Sequence, residues 1–191
     1  MHYVTMDLET TGINICKDQP VEVAVLVARV SEKDKTWVLV REESFLVKLS
    51  VMTMKIDPKA FEKHKITEEM CFEDGREPWV VADWWSELGR LRPLRLVGYN
   101  CLMFDYPMMV NFVERVSRRP MFKHPSLVGV VDVMHLVSGA FGGKWPKLEH
   151  AAQRYGVPVP EGGQLHDALT DVRLTWGICC KVHKWEQEVA G

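Results

Sequence analysis

His2-Tyr3-Val4-Thr5-Met6-Asp7-Leu8-Glu9-Thr10-Thr11-Gly12 is the stretch on which the reading of this chain turns. From His2 to Leu8, Tyr3, Thr5 and Asp7 alternate with Val4, Met6 and Leu8, the period of a strand with one apolar face. The Thr10-Thr11-Gly12 step ends it. Side chains two apart in a strand share a face, so Asp7 and Glu9 project together while Val4, Met6 and Leu8 take the other side. Like charges aimed at one place are unfavourable unless a cation lies between them. Taken alone, the pair also fits a solvated strand end before a turn.

Further along, Val21 to Val30 has the near-continuous apolar character of a buried strand. Thr36–Val40 and Phe45–Leu49 predict a third strand, broken at the charge run Arg41-Glu42-Glu43. The short spacing of these runs predicts antiparallel neighbours. The second half alternates. Helices are expected over Pro58–His64, Trp79–Leu91, Pro107–Val116, Val133–Phe141, Leu148–Tyr155 and about Asp167–Trp185, with strands at Leu94–Val97 and Val128–Val131. Three strands followed by alternation imply an α/β fold, a mixed five-stranded sheet flanked by helices. No repeat or long linker divides the 191 residues, so a single domain over 1–191 is expected.

Twenty-four basic against 26 acidic residues give a net charge of −2. That balance argues against a protein that coats duplex nucleic acid by bulk charge, but it permits a local grip on a few phosphates. Five cysteines, an odd number without a C-x-x-C pair, argue against a disulfide scaffold or a cysteine zinc site. Reduced thiols in a cytoplasmic setting are expected. The first residues carry no basic segment before an apolar run, and no apolar stretch nears the roughly 18 residues of a membrane span, so neither a secretory leader nor a span is expected.

Other acids fall at comparable places. Asp105 follows the Leu94–Val97 strand and, alone, reads as the cap of the helix near Pro107. His166 and Asp171 open the last helix five residues apart, about 140° on a regular helix. Asp167 and Asp171, at i and i+4, share a face more readily, so spacing leaves His166 and Asp167 as alternatives. Strand carboxyl ends and helix starts are where sites gather in open α/β sheets.

Met6–Gly12, Gly98–Asp105 (Gly-Tyr-Asn-Cys-Leu-Met-Phe-Asp) and Leu165–Val172 resemble the three motifs of the DEDDh 3′→5′ exonucleases. That group includes the DnaQ-like proofreading subunits of bacterial replicative polymerases. Asp57–Thr67, Val131–Met134 and Leu148–Val157 resemble the segments between the motifs, so the likeness runs from about Tyr3 to about Val182. Asn100 lies five residues before Asp105, one more than is usual in proofreading subunits. That spacing, with Lys147–His150, is more similar to the exonuclease I-like enzymes. Those enzymes carry further C-terminal domains that this sequence lacks, so a processive grip on long single strands is not expected.

The resemblance implies a ribonuclease H-like fold and two divalent ions, Mg²⁺ or Mn²⁺, held by Asp7, Glu9, Asp105 and Asp171. Hard ions favour such all-oxygen donor sets. It places the catalytic histidine on His166 rather than Asp167, as the base that takes a proton from the attacking water. It puts Thr10, His64, Asn100 and Phe104 against the terminal nucleotide, although Phe104 fits a core position equally well. The implied activity is hydrolysis at the 3′ end of single-stranded DNA, releasing nucleoside 5′-monophosphates. A polymerase or another replication or repair protein is an implied partner, and no membrane is. An exoribonuclease and a non-catalytic, polymerase-associated nucleic-acid-binding module are the rival readings. A zinc hydrolase using His64, His150 or His166 lacks an H-x-x-x-H pair. Arg115, Arg118, Arg119, Lys123, Lys144 and Lys147 are candidate phosphate contacts. The seven tryptophans offer no basis for choosing one that stacks on a base, and Trp79, Trp84 and Trp85 read as core or interface.

Overall fold

The computed structural model describes residues 1–49, 55–117, 127–161, 163 and 167–188. An antiparallel meander comes first: β1 (His2–Thr10), β2 (Pro20–Ser31) and β3 (Thr36–Leu46). Then follow α1 (Pro58–His64), α2 (Glu68–Asp74), α3 (Pro78–Leu88), β4 (Leu94–Gly98), α4 (Asp105–Ser117) and β5 (Leu127–Asp132). Next are α5 (Val133–Val137), which runs on as a 3₁₀ turn over Ser138–Phe141, α6 (Leu148–Tyr155), α7 (Ala168–His183) and β6 (Glu186–Gln187). The sheet order is β5-β4-β1-β2-β3-β6, with β4 parallel to β1 and to β5. The result is an α/β fold of the ribonuclease H-like kind, a mixed sheet flanked by helices.

The β1 alternation decides which helices lie on which face. Val4, Met6 and Leu8 pack with Val23, Val25 and Val27 of β2 against Trp85 and Leu88 of α3 and Met108, Met109 and Phe112 of α4. Tyr3, on the opposite face, joins Ala24, Leu26 and Ala28 under Val133 of α5, Ala151 of α6, and Leu174, Trp176 and Ile178 of α7. Asp7 and Glu9 therefore continue the α7 face of β1 beyond the apolar layer.

Several boundaries differ from expectation. The sheet gains a sixth strand because α7 stops at His183: Lys184 takes a left-handed conformation, Trp185 N–H returns to Cys180 O, and β6 pairs parallel with Thr36 and Trp37. β3 runs unbroken through Arg41-Glu42-Glu43, because successive strand residues face opposite ways and each glutamate finds a partner. Glu42 takes the Arg173 guanidinium of α7 on one face. Glu43 accepts from Trp84 Nε1 of α3 on the other, at 2.9 Å. The expected Val133–Phe141 helix tightens to 3₁₀ geometry after Val137. Sequence patterning missed α2, which Thr67 caps by accepting from Met70 N–H, with Glu68 and Glu69 in the first turn. Trp84 and Trp85 are core residues as expected, whereas Trp79 is exposed.

Candidate active site

Parallel pairing of β1 with β4 and of β4 with β5 brings three carboxyl-terminal strand ends to one edge. β1 delivers Asp7 and Glu9 there. β4 ends at Gly98, where an added Cβ would lie 2.4 Å from the Cys101 Cβ and 3.2 Å from Met6 O, so only glycine lets the chain turn beside β1. Asn100 follows with a left-handed φ of 61°. The turn is pinned by Asp132, the last residue of β5. Its buried carboxylate accepts from Asn100 N–H at 3.0 Å and Leu102 N–H at 3.1 Å, and it caps α5 by accepting from Met134 N–H at 3.1 Å. The chain is thereby led into α4, whose first residue is Asp105.

Asp105 is 4% exposed, unlike a solvated helix cap. Its pKa is raised to about 7: burial drives it up, the backbone N–H groups of Asp105 itself and of Leu8 lower it, and the Asp132 charge raises it. Asp7 is driven well above the ordinary carboxylate range by burial, then by the charges of Asp105, Asp171, Glu9 and Glu22. Glu9 is pushed up to about 8 by burial and by Asp171, Glu22 and Asp105, while Lys63 opposes the shift. Acids from β1, α4 and α7 thus feel one another's charge, which is how the structure brings together Asp7, Glu9, Asp105 and Asp171.

The donor set suits a hard divalent cation: it is all oxygen and rich in negative charge, and Asp7, Glu9 and Asp105 are raised in pKa by burial and then by neighbouring carboxylates. Among the described residues, no group of three or more His, Cys, Asp or Glu side chains is placed to hold a metal ion. The acids share an electrostatic field without forming a closed donor set.

At the start of α7, Asp167 is the N-cap, accepting from Thr170 N–H at 3.1 Å and Thr170 Oγ1 at 2.6 Å. This occupies the carboxylate that helical spacing had offered as a partner for Asp171. His166 lies outside the described residues. Glu22 was missed by sequence reasoning. It lies on β2 opposite Glu9 and accepts from Ser44 Oγ, and its pKa is raised by burial and lowered by Ser44 and by the Ala168 backbone at the first turn of α7. Asp132 was seen only as part of a resembling segment. Asp132 is marked locally only as the cap of α5; its hold on the Asn100 turn, like the role of Glu22, depends on partners distant in sequence.

The residues expected at the terminal nucleotide fare unequally. Thr10 is buried, and its hydroxyl donates to Gly12 O at 2.8 Å, which closes the turn after β1. His64 Nδ1 accepts from Ile66 N–H at 3.0 Å, which leaves Nε2 to donate to Thr10 O at 3.2 Å. Burial lowers the His64 pKa, so the ring is neutral and both nitrogens are used within the fold. Asn100 is exposed beside Asp132. Phe104 is half-buried and packs against the α3–α4 core, which favours its core role. Arg115 is not a free phosphate contact: its guanidinium donates to Cys16 O and Asp18 O and holds the loop after β1. Arg118, Arg119 and Lys123 lie outside the described residues, while Lys144 and Lys147 are exposed.

The exonuclease family described as RNase_T matches residues 4–179. The chain belongs to that family. No curated protein matches the sequence. Among solved structures, E. coli exonuclease I in complex with a dA16 oligonucleotide superposes with a TM-score of 0.80 at 21% identity, covering 96% of this chain and 41% of that one. The zinc-bound form of the E. coli exonuclease I–single-stranded DNA complex gives 0.77 at 21% identity, covering 96% and 40%. At such identity the likeness establishes the fold. The chain spans about two fifths of the length of those relatives. Family membership makes this an exonuclease-type domain, and the family is generally dependent on divalent metal. Among the described residues no helix is long and apolar enough to cross a membrane.

Proposed function

We propose that this chain is a DEDDh-type 3′→5′ exonuclease that removes nucleoside 5′-monophosphates from the 3′ end of single-stranded DNA. The observation that carries the reading is the convergence of the four motif acids from β1, α4 and α7 into mutual electrostatic contact. Asp7, Glu9, Asp105 and Asp171 would hold two divalent ions, Mg²⁺ or Mn²⁺. When bound, such ions place positive charge at both the attacking and the leaving oxygen of the phosphodiester.

The chain's own residues do the rest. The Asp132 anchor on the Asn100–Leu102 turn sets the start of α4, and with it Asp105. Asp167 and Glu22 hold the first turn of α7, which carries Asp171. His166, placed by its motif, takes the proton of the attacking water, and an imidazole with an ordinary pKa near 6.5 is free to accept it at neutral pH. Asn100, beside the turn, is open to the terminal nucleotide. Thr10 and His64, joined through the Thr10 carbonyl, would flank the terminal nucleotide.

The reading is supported by family membership and by the fold shared with exonuclease I. The deciding experiment is digestion of 5′-labelled single-stranded, duplex and mismatched DNA beside matched RNA, with and without Mg²⁺. Stepwise, chelator-sensitive shortening of single-stranded DNA is expected. Faster shortening of RNA would move the assignment to an exoribonuclease, and binding without release of mononucleotides would move it to a non-catalytic module.

A further inference from the structure

Trp145 stands apart from the other large aromatic side chains. Trp84, Trp85, Trp176 and Trp185 are buried in the two cores, whereas Trp145 is 66% exposed. It is nevertheless held in place from two sides. Its indole meets the His135 ring edge to face, with centroids 5.2 Å apart and planes at 81°. His135 Nδ1 lies 3.4 Å from Asp132 Oδ2, the same carboxylate that pins Asn100 and Leu102. On the other side, Tyr99 Oη donates to the carbonyl of Pro146 at 2.7 Å. Both tethers run to the turn that leads into Asp105. Trp79, the other exposed tryptophan, sits in the first turn of α3 with no such link. Lys144 and Lys147 flank Trp145 in sequence and are exposed, and Lys147 Nζ lies 3.8 Å from Glu149 Oε1.

We infer that Trp145 is a stacking platform for a base upstream of the terminal nucleotide, with Lys144 and Lys147 against the adjoining phosphates. An indole held by a ring contact yet open to solvent, with lysines close by in sequence, is the kind of arrangement that holds single strands without reading their sequence. Bases within a duplex are already stacked and cannot lie on it, so Trp145 makes the enzyme prefer single strands. The inference rests on the exonuclease reading above and adds to it the residue that selects strand state.

The test pairs a binding measurement with two substrates. Anisotropy of a fluorescein-labelled oligothymidylate whose last linkage is a phosphorothioate reports affinity. Single-stranded DNA and thymidine 5′-(p-nitrophenyl phosphate), which has no upstream base, report turnover. Trp145→Ala should weaken oligothymidylate binding about 5- to 100-fold, the usual worth of one stacked base, and raise KM for single strands by a similar factor. It should leave hydrolysis of the nitrophenyl ester unchanged and narrow the preference for single strands over duplex. Trp145→Phe should restore most of the loss. Unchanged oligothymidylate affinity in Trp145→Ala overturns the inference, as does an equal loss on oligonucleotide and ester. A wild-type chain that binds oligothymidylate through Trp145 yet cleaves neither substrate leaves the platform standing and overturns the exonuclease reading alone.

Discussion

Burial raises the pKa of the Asp105 carboxylate, and the backbone N–H of Leu8 draws it back down. Leu8 lies between Asp7 and Glu9, so the second motif feels the middle of the first, nearly a hundred residues away along the chain.

From the repulsion among these acids, Asp7→Asn should abolish cleavage while making the metal-free protein more stable, not less. Removing one charge relieves Asp105, Asp171, Glu9 and Glu22 together. Each kcal/mol gained should raise the midpoint of a thermal melt in EDTA near pH 8 by about 2–4 °C. A lower midpoint there would mean that the acids are not in mutual repulsion.

The metal-free protein should lose stability as pH rises. Glu9 and Asp105 have folded pKa values of about 8 and about 7, above their ordinary values of 4.5 and 3.8. The native state therefore holds more protons than the unfolded chain between those limits, and stability falls with rising pH wherever that is so. The loss should begin near the ordinary carboxylate values and be complete once pH has passed about 8. Mg²⁺ or Mn²⁺ should raise the melting midpoint much more at the alkaline end of this window than at its acid end. A pH-independent response to metal would remove the basis for this expectation.

Asp132→Ala should cost stability and activity together. It removes one buried acceptor from three backbone donors, a loss of about 1–3 kcal/mol in urea unfolding. It also frees the turn that sets Asp105, so kcat should fall although Asp132 is outside the proposed ligand set. A variant with lowered stability but full kcat would show that the turn holds itself.

His166→Asn should keep the stabilisation by divalent metal and lose about 10²- to 10⁴-fold in turnover, the range typical of a general base. Metal-dependent melting and single-turnover digestion separate the two effects. Near-normal turnover would reassign the base.

Much of the fold was legible because its signals are local. The alternation from Tyr3 to Leu8 set strand, faces and core side at once, and Gly156 marked the end of α6. Charge misled at β3, where Arg41-Glu42-Glu43 looked like a break. Composition cannot say that Glu42 will meet Arg173 from 131 residues away. The end of α7 was misjudged for a related reason: Trp185 has a helical neighbour pattern but folds back to fill the space beside Tyr3 and Trp176.

The order of most strands and helices, though not α2 or β6, the pairing of Asp7 with Glu9 on one face, and membership of the exonuclease family were written in the residues themselves, since periodicity and motif spacing are properties of a single line of sequence. The tertiary structure decided which acids share one electrostatic field, that Asp132 and Glu22 brace them, that Arg115 is tied to a loop, and that Trp145 rather than Trp84 faces solvent. These are outcomes of faces packing across the sheet, where free energy depends on what a side chain meets and not on its neighbours along the chain.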